Sequence, residues 1–278
     1  MTERMIDVDG VRLCTETFGA PGDPPVLLVM GSAASMLWWD DALCAALAAG
    51  GRFVVRYDHR DTGRSTACPP GRPHYGGPDL VADAARVLDG NGIARAHVVG
   101  ASMGGALAQL LALDFPDRVA SLVLMDTSPA GPGGGLPGVA ASYAAFLAEA
   151  HVDWTDPRSV IEHRVADVRA LIGDRPFDEA RVRALVERDA ARTRSMASAQ
   201  NHELIDGGGP WRDRLGEIAV PTLVIHGSAD PLFPLAHGEA LAAEIPGARL
   251  LVLPGAGHVL HPADHDAVVR AILAHTAP

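Results

Sequence analysis

The sequence contains no lysine, since all 23 of its basic residues are arginine. Enzymes that form a lysine Schiff base or use a neutral lysine as general base are therefore excluded. The 34 acidic residues outnumber the basic ones and give a formal net charge of −11. Because nucleic acids and anionic membranes are bound through basic surfaces, we expect neither kind of partner.

Cysteines and long apolar runs are also scarce. The three cysteines, Cys14, Cys44 and Cys68, have neither metal-binding nor redox spacing, so we expect no metal site, and no organic cofactor is implied either. The first residues lead into an alternating strand, and no apolar run reaches membrane length. We therefore expect a cytoplasmic protein.

Short apolar runs alternate with helical patterns along most of the 278 residues. The turn Asp9-Gly10 between residues 4–8 and 11–17 predicts a hairpin of two strands. The apolar runs predict six more strands, at residues 25–30, 53–57, 96–100, 121–125, 221–226 and 249–253. Strands that alternate with helices form crossover units. The sequence therefore predicts an α/β fold with a mainly parallel sheet flanked by helices.

The alternation stops between about residues 127 and 216. Three helical patterns follow one another there, at residues 139–150, 159–172 and 178–204, and glycine-rich stretches at 128–135 and 207–210 flank them. This insertion predicts a helical cap, residues 128–215, on a core domain made of residues 1–127 and 216–278. Long crossover helices are the alternative interpretation.

The run from His97 to Ala106 carries the strongest chemical signal. It predicts an apolar strand, the turn Gly100-Ala101-Ser102-Met103-Gly104 and an apolar helix. A serine in such a turn lies on a strained bend that exposes its hydroxyl, and the glycines let the backbone pass close to itself. The N-terminus of the following helix favours negative charge. Ser102 is therefore the predicted nucleophile.

A serine hydroxyl needs a general base, and the base needs an orienting acid. Asp230 and His258 follow the last two predicted strands, at the carboxyl edge where such groups collect. The chain order predicts a triad of Ser102, Asp230 and His258, with Asp126 as the alternative acid. His258 is preferred as base because glycines border it, over three other histidines in this region: His226, His261 and His265.

Acyl transfer also needs N–H donors for the developing oxyanion. The residue after the nucleophile, Met103, offers one backbone N–H group. The loop after the strand at residues 25–30 offers the second, which we place at Ser32 in the sequence Met30-Gly31-Ser32.

Aromatic residues make up only 5% of the chain, yet several fall in the predicted cap or beside the catalytic loops. Such side chains suit a flat aromatic or polycyclic substrate. Packing of the cap against the core is the alternative for each of them. The substrate-binding candidates are Gly31, Trp38, Tyr143, Phe146, Trp154, Met196, Trp211 and Phe233.

With these motifs the whole chain resembles the α/β-hydrolase fold. Residues 100–105 resemble its nucleophile elbow, and residues 58–65 resemble its Asp-x-Arg-Gly-x-Gly-x-Ser loop, with Asp61 at a usual glycine. We expect the latter loop to brace the neighbours of the elbow. Met30 stands where many members have histidine. Residues 29–31, 57–66 and 96–100 together resemble antibiotic-pathway methyl esterases of the aclacinomycin methylesterase and streptonigrin methylesterase type.

The resemblance implies a serine carboxylic-ester hydrolase that cleaves a methyl ester of an aromatic or polyketide-type secondary metabolite. A small-molecule ester is then the expected partner, and the oligomeric state stays open. A cofactor-free perhydrolase of the haloperoxidase type, or a lactone hydrolase, would use the same triad. A ligand-binding receptor on a hydrolase scaffold is the alternative of another class, although a pure receptor has no need of a complete triad.

Overall fold

An eight-stranded sheet forms the centre of the structure, a computed structural model that describes residues 3–129 and 135–277. The strands are β1 (Arg4–Val8), β2 (Val11–Phe18), β3 (Pro25–Val29), β4 (Phe53–Tyr57), β5 (Ala96–Ala101), β6 (Val119–Met125), β7 (Thr222–Gly227) and β8 (Arg249–Leu253). They lie in the order β1-β2-β4-β3-β5-β6-β7-β8. β2 is antiparallel to both of its neighbours, and all pairs from β4 to β8 are parallel. The predicted mainly parallel sheet of eight strands is confirmed.

Helices cover both faces of this sheet. The α-helices of the described residues are α1 (Asp41–Ala49), α2 (Gly77–Gly90), α3 (Met103–Asp114), α4 (Ala141–Glu149), α5 (Pro157–Leu171), α6 (Glu179–Arg192), α7 (Met196–Ala199), α8 (Ala236–Glu244) and α9 (His265–His275). Short 3-10 helices span Met36–Trp38, Pro116–Arg118, Gln200–Glu203, Arg212–Glu217 and Pro262–Asp264. Among these described helices, none combines the length and the apolar character needed to cross a membrane.

The core lies in two apolar layers, one on each side of the sheet. Successive residues of β3 alternate between them, with Leu27 and Val29 in one layer and Val26 and Leu28 in the other. The first layer packs against α2, α3 and α8, and the second against α1 and α9. Because both faces are covered, the parallel strands are apolar on both sides.

The helical segment between β6 and β7 differs in part from the prediction. A single helix was expected over residues 178–204, but α6 ends at Arg192, and α7 and a 3-10 helix follow. The reason is local: Thr193 is extended, and the Ser195 hydroxyl accepts a hydrogen bond from Ser198 N–H, which starts a new helix. Residues 130–134 of the glycine-rich stretch lie outside the described residues.

We propose that residues 128–215 form the predicted cap. α5 packs against α4 and α6, and α6 contacts the 3-10 helix Met36–Trp38 that follows β3. Gly173, just after α5, pairs with Ala256 in the loop after β8. Both of these contacts are with loops that leave the carboxyl edge of the sheet.

Candidate active site

Ser102 lies between β5 and α3 with φ of 53° and ψ of −123°. Such a positive φ is uncommon for a residue with a Cβ atom, and strain of this kind costs about 1–3 kcal/mol. The turn is held from β6, because Ser102 N–H donates to the Met125 carbonyl (3.0 Å) and the Thr127 hydroxyl donates to the Ser102 carbonyl (2.7 Å). The strand, strained serine and helix thus follow one another as the motif predicts.

Two glycines of this turn stand where the backbone is too close for any side chain. A Cβ on Gly100 would lie 2.2 Å from the Gly104 carbonyl oxygen. A Cβ on Gly104 would lie 2.1 Å from the carbonyl oxygen of Val29 in β3. The glycines therefore allow α3 to begin directly against the central strands, with Ser102 at the sheet edge.

Asp230 and His258 are joined by a hydrogen bond of 2.8 Å between Asp230 Oδ2 and His258 Nδ1. The other carboxylate oxygen, Oδ1, accepts from the backbone N–H groups of Leu232 (2.8 Å) and Phe233 (2.9 Å). These bonds fix the carboxylate and leave Nε2 of His258 as the ring nitrogen available to a nucleophile. The structure thus brings together the predicted acid and base.

Ser102 and His258 follow β5 and β8 at the same edge of the sheet. Within residues 3–129 and 135–277, no hydrogen bond joins their side chains. Catalytic hydrogen bonds are often long without substrate and tighten in the reacting complex. Both groups remain candidates for one site on the grounds of topology.

The loop that carries His258 rests on the end of α5. His258 N–H donates to the Leu171 carbonyl (2.7 Å), and a Cβ on Gly257 would lie 2.1 Å from that same oxygen. Burial of the ring disfavours the imidazolium, but the hydrogen bond to Asp230 and its charge outweigh burial, so the pKa of His258 is raised above 6.5. His258 is thereby set up as a stronger base than a free imidazole.

Asp126, the alternative acid, is buried beside Asp230 at the end of β6. Its Oδ1 accepts from Gly227 N–H (2.8 Å), and no bond joins it to His258 in the described part of the chain. Burial, and then the charge of Asp230, raise the pKa of Asp126 to about 8. Because Asp230 holds the hydrogen bond to His258 while Asp126 is bonded to Gly227, the geometry favours Asp230 as the acid.

Asp126, His226 and Asp230 also place one potential metal ligand each within 4.8 Å of one another. One atom of each is engaged in a hydrogen bond: Asp126 Oδ1 accepts from Gly227, Asp230 Oδ2 accepts from His258, and His226 Nε2 donates to the Phe233 carbonyl (2.7 Å), whereas His226 Nδ1 is buried without a hydrogen-bond partner among the described residues. Burial lowers the pKa of His226, which keeps the ring neutral. These bonds favour a hydrogen-bond network over a metal site.

The predicted oxyanion donors are the residue after Ser102 and a residue of the loop after β3. Met103 is the first residue of α3, where a backbone N–H has no acceptor within the helix. Gly31 lies against the nucleophile, since a Cβ there would be 3.1 Å from Ser102 Cβ. Ser32 follows it, and the next residue, Ala33, donates its N–H to His202 Nδ1 (3.0 Å). The Ser32 amide therefore remains the candidate for the second donor.

Of the substrate-binding candidates, Phe233 contacts the base, and Trp38 lies farther along the loop after β3. The Phe233 ring meets the His258 ring edge-on at 5.5 Å between centroids. Trp38 lies between cap and core, where its indole N–H donates to Asp189 Oδ2 (2.8 Å) and the Arg164 guanidinium lies 5.1 Å from the ring centroid. Trp38 also lines a small cavity of about 60 Å³ beside the segment that follows His258.

The other candidates in the cap contact mainly one another. Tyr143 stacks on Phe146 (5.7 Å), Phe146 stacks on His163 (5.8 Å), and Trp154 meets His163 edge-on (5.8 Å). The Tyr143 hydroxyl donates to Asp167 Oδ1 (2.7 Å). Trp154 and His163 line an open groove of about 770 Å³, and Met196 lines another with Trp154. Phe146 is therefore packed within the cap, whereas Trp154 and Met196 line grooves and stay predicted substrate-binding residues.

Trp211 does not lie where its predicted role requires. It is 8% exposed and belongs to the apolar layer that contains α2, α3 and α8. Its indole N–H donates to Gln109 Oε1 (3.3 Å), on the body of α3. Trp211 immediately precedes the 3-10 helix Arg212–Glu217, which packs against the core, so the interpretation as a packing residue holds for it.

The loop at residues 58–65 braces its surroundings, as expected. Asp58 is fully buried and accepts from Met36 N–H (2.9 Å) and Arg64 N–H (2.9 Å). Arg192, at the end of α6, forms an ion pair with Asp58 (2.7 Å) and another with Glu3 (2.5 Å). Burial raises the pKa of Asp58 despite Arg192. This loop therefore links the cap to the core.

Sequence reasoning missed the polar residues of the cap that contact the loop after β3. His202 accepts from Ala33, Glu203 Oε1 accepts from the Ser32 hydroxyl (2.6 Å), and Arg164 donates to the Ala33 carbonyl (3.2 Å). The run Asn201-His202-Glu203 was included in one long predicted helix. Three adjacent polar residues in an alanine-rich and arginine-rich helix were the available signal.

Known proteins resemble this chain in both sequence and fold. Residues 24–264 match a sequence family described as the alpha/beta hydrolase fold. Rhodomycin D methylesterase DnrP of Streptomyces peucetius is 36% identical over 293 residues, which cover 99% of this chain and 98% of that protein.

Solved structures show the same architecture. A hydrolase from Pseudomonas aeruginosa PA01 is 29% identical, with a TM-score of 0.77 over 99% of this chain and 98% of that one. The esterase RhEst1 from Rhodococcus sp. has a TM-score of 0.81 over 100% of both chains at 24% identity. The second likeness is one of fold alone.

Proposed function

The chain belongs to the alpha/beta hydrolase family, and on that premise we propose that Ser102, His258 and Asp230 form a catalytic triad that cleaves a methyl ester. The similarity to methyl esterases, expected from the motifs, is confirmed, and the protein is a carboxylic-ester hydrolase. For the substrate we propose an aromatic or polyketide-type secondary metabolite. The bond of 2.8 Å between Asp230 and His258, at the edge where Ser102 is presented, carries the proposal.

The proposed mechanism is acyl transfer in two steps. Ser102 Oγ attacks the ester carbonyl while His258 Nε2 takes its proton, and Asp230 stabilises the resulting imidazolium. The N–H groups of Met103 and Ser32 donate to the oxyanion. The imidazolium then protonates the departing methanol oxygen, and water activated by His258 hydrolyses the acyl-enzyme to the free acid.

The first test compares the purified protein with Ser102→Ala on p-nitrophenyl acetate and on a panel of polycyclic aromatic methyl esters. We expect release of acid and methanol from at least one methyl ester. Without the nucleophile, kcat/KM should fall by at least about 10³-fold. Circular dichroism spectra of both proteins serve as the control for folding.

The two substrates separate the chemistry from the substrate assignment. Acetate cleavage that depends on Ser102, without turnover of any methyl ester, would support the triad and count against the methyl-ester substrate. Peracid formation from acetate and peroxide that outruns ester cleavage would favour the perhydrolase alternative. A protein that binds the esters but is not labelled by a fluorophosphonate at Ser102 would favour a receptor.

A further inference from the structure

In the loop after β3, four peptide groups join residues 30 to 34. Side chains form hydrogen bonds with three of them. The Met30 carbonyl accepts from His59 Nε2 (2.9 Å), which holds the peptide group between residues 30 and 31. Ala33 N–H donates to His202 Nδ1 (3.0 Å), and the Ala33 carbonyl accepts from Arg164 (3.2 Å). The fourth peptide group joins Gly31 to Ser32. Among the described residues, no side chain forms a hydrogen bond with it.

The two hydrogen-bond partners of the His202 ring determine which of its nitrogens carries the proton. A backbone N–H can only donate, so His202 Nδ1 accepts from Ala33 and the ring proton is on Nε2, which donates to the Arg60 carbonyl (2.8 Å). The ring is 6% exposed, with His59 and Tyr75 edge-on at 5.9 and 6.4 Å. Burial lowers its pKa against the opposing effects of the Arg60 carbonyl, Asp61 and Glu203, so the ring stays neutral.

Ala33 itself is in the left-handed region, with φ of 52°. An alanine rarely adopts this conformation, and it persists only where the surroundings impose it. The bond to His202 on one side of Ala33 and the bond to Arg164 on the other supply that restraint. Loss of the first bond would let the loop relax and turn the Ser32 amide away from Ser102.

We propose that His202 is a positioning residue for ester cleavage, because its Nδ1 holds the loop in the conformation that aims the Ser32 N–H at the oxyanion. This inference rests on the proposed function, since it takes the Ser32 amide as an oxyanion donor. It assigns to the cap a part in the chemical step as well as in substrate selection. The role belongs to one acceptor atom and not to the bulk of the ring.

Two amide substitutions of His202 test its two ring nitrogens separately. In His202→Asn the side-chain oxygen takes the place of Nδ1 and still accepts from Ala33. In His202→Gln the amide reaches the place of Nε2 and still donates to Arg60, while a methylene group faces Ala33. We expect His202→Asn to keep kcat within several-fold of the parent. We expect His202→Gln to lower kcat by about 10²-fold, the effect of losing one oxyanion donor, with KM nearly unchanged.

The assay uses p-nitrophenyl acetate, so that its result does not depend on the methyl-ester assignment. Thermal unfolding of both variants checks that their folds are equally stable. Equal losses of kcat in the two variants, or a greater loss in His202→Asn, would overturn the proposal. A change confined to KM would also overturn it, because a structural defect in the substrate pocket would then explain the result.

A measurement on the unmodified protein tests the proposal even if the variants do not fold. Nitrogen-15 NMR of the histidine rings distinguishes protonated Nε2 from protonated Nδ1. We expect the His202 signal to show the proton on Nε2 from pH 6 to pH 8, and a proton on Nδ1 would overturn the proposal. If Ser102→Ala kept full activity, the proposed function would fail, whereas this readout would still judge the contact between His202 and the loop.

Discussion

The serine turn and the two loops beside it are supported by different parts of the molecule. Ser102 is bonded to Met125 and Thr127 of the core, and Gly104 lies against β3. The loops that carry Ala33 and His258 are bonded to the core and, in addition, to His202 and Leu171 of the cap. The nucleophile therefore depends on folding of the core alone, whereas the base and the proposed oxyanion donor depend also on docking of the cap.

Replacement of the acid should have the largest effect on activity, because it acts on the base directly. We expect Asp230→Asn to lower kcat by about 10⁴-fold, since an amide favours the wrong imidazole tautomer. Asp126→Asn is the matched control and should lower kcat by less than about tenfold, as Asp126 has no bond to His258. Steady-state kinetics on p-nitrophenyl acetate decide the matter, and the reverse ranking would make Asp126 the acid.

The contact between the end of α5 and the loop that carries His258 can be disrupted by a substitution at Gly257. In Gly257→Ala the added Cβ would lie 2.1 Å from the Leu171 carbonyl oxygen, so either the His258 loop or the end of α5 must shift. We expect kcat to fall by about 10²-fold, since misplacement of a catalytic group by 1 Å has effects of that size. The melting temperature should change little, because the apolar layers of the core are untouched.

Two further alanine substitutions serve as controls for Gly257→Ala, one expected to be severe and one expected to have no effect. Gly104→Ala places a Cβ 2.1 Å from the Val29 carbonyl oxygen in the core and should destabilise the fold as well as abolish activity. Gly216→Ala meets nothing within 4 Å and should be silent. If Gly257→Ala unfolded as readily as Gly104→Ala, the division between core support and cap support would be wrong.

The pH dependence of kcat/KM tests the environment of the base. His258 must be neutral to accept the proton of Ser102, and Asp230 raises its pKa above 6.5. Activity should therefore fall about tenfold per pH unit as the pH drops below that raised pKa. We expect the midpoint of the acid limb above pH 6.5 in the parent protein. A midpoint below pH 6.5 would contradict the predominance of Asp230 over burial.

Anchoring of the cap through Arg192 should affect stability more than chemistry. In Arg192→Met the buried carboxylate of Asp58 loses its partner, and such a loss costs about 3–5 kcal/mol. Activity of the folded fraction should fall only a few-fold. Arg188→Met, one turn earlier on α6, removes an exposed pair with Asp41 and should cost less than about 1 kcal/mol. Urea unfolding of both variants measures the difference, and equal values would count against anchoring by Arg192.

Most of the core was predictable because each of its elements has a local signal. Strands β1, β4 and β8 have the predicted bounds, and the others differ by one or two residues at their ends. The cap was less predictable: α6 ends at Arg192, within a pattern that continues as helical to residue 204. A serine that caps a new helix decides that boundary, and its hydroxyl competes with the backbone too weakly to be recognised from periodicity.

Candidate site residues were easier to predict when the atoms they contact are close to them in the chain. Gly31 and Phe233, two of the substrate-binding candidates, lie against Ser102 and His258, and their role in binding stays a prediction. Trp211 was misjudged because aromatic content does not tell a core face from a pocket. His202 was missed because its partner, Ala33, lies 169 residues away in the chain.

The sequence by itself determined the sheet, the strained serine turn and the order of serine, acid and base, since these follow from periodicity and from the turn between one strand and one helix. The tertiary structure alone decided that Asp230 rather than Asp126 meets His258. It also decided that His202 and Leu171 hold the loops beside the serine. The physical reason is that such contacts join atoms far apart in the chain, and their existence depends on how the cap docks on the sheet edge.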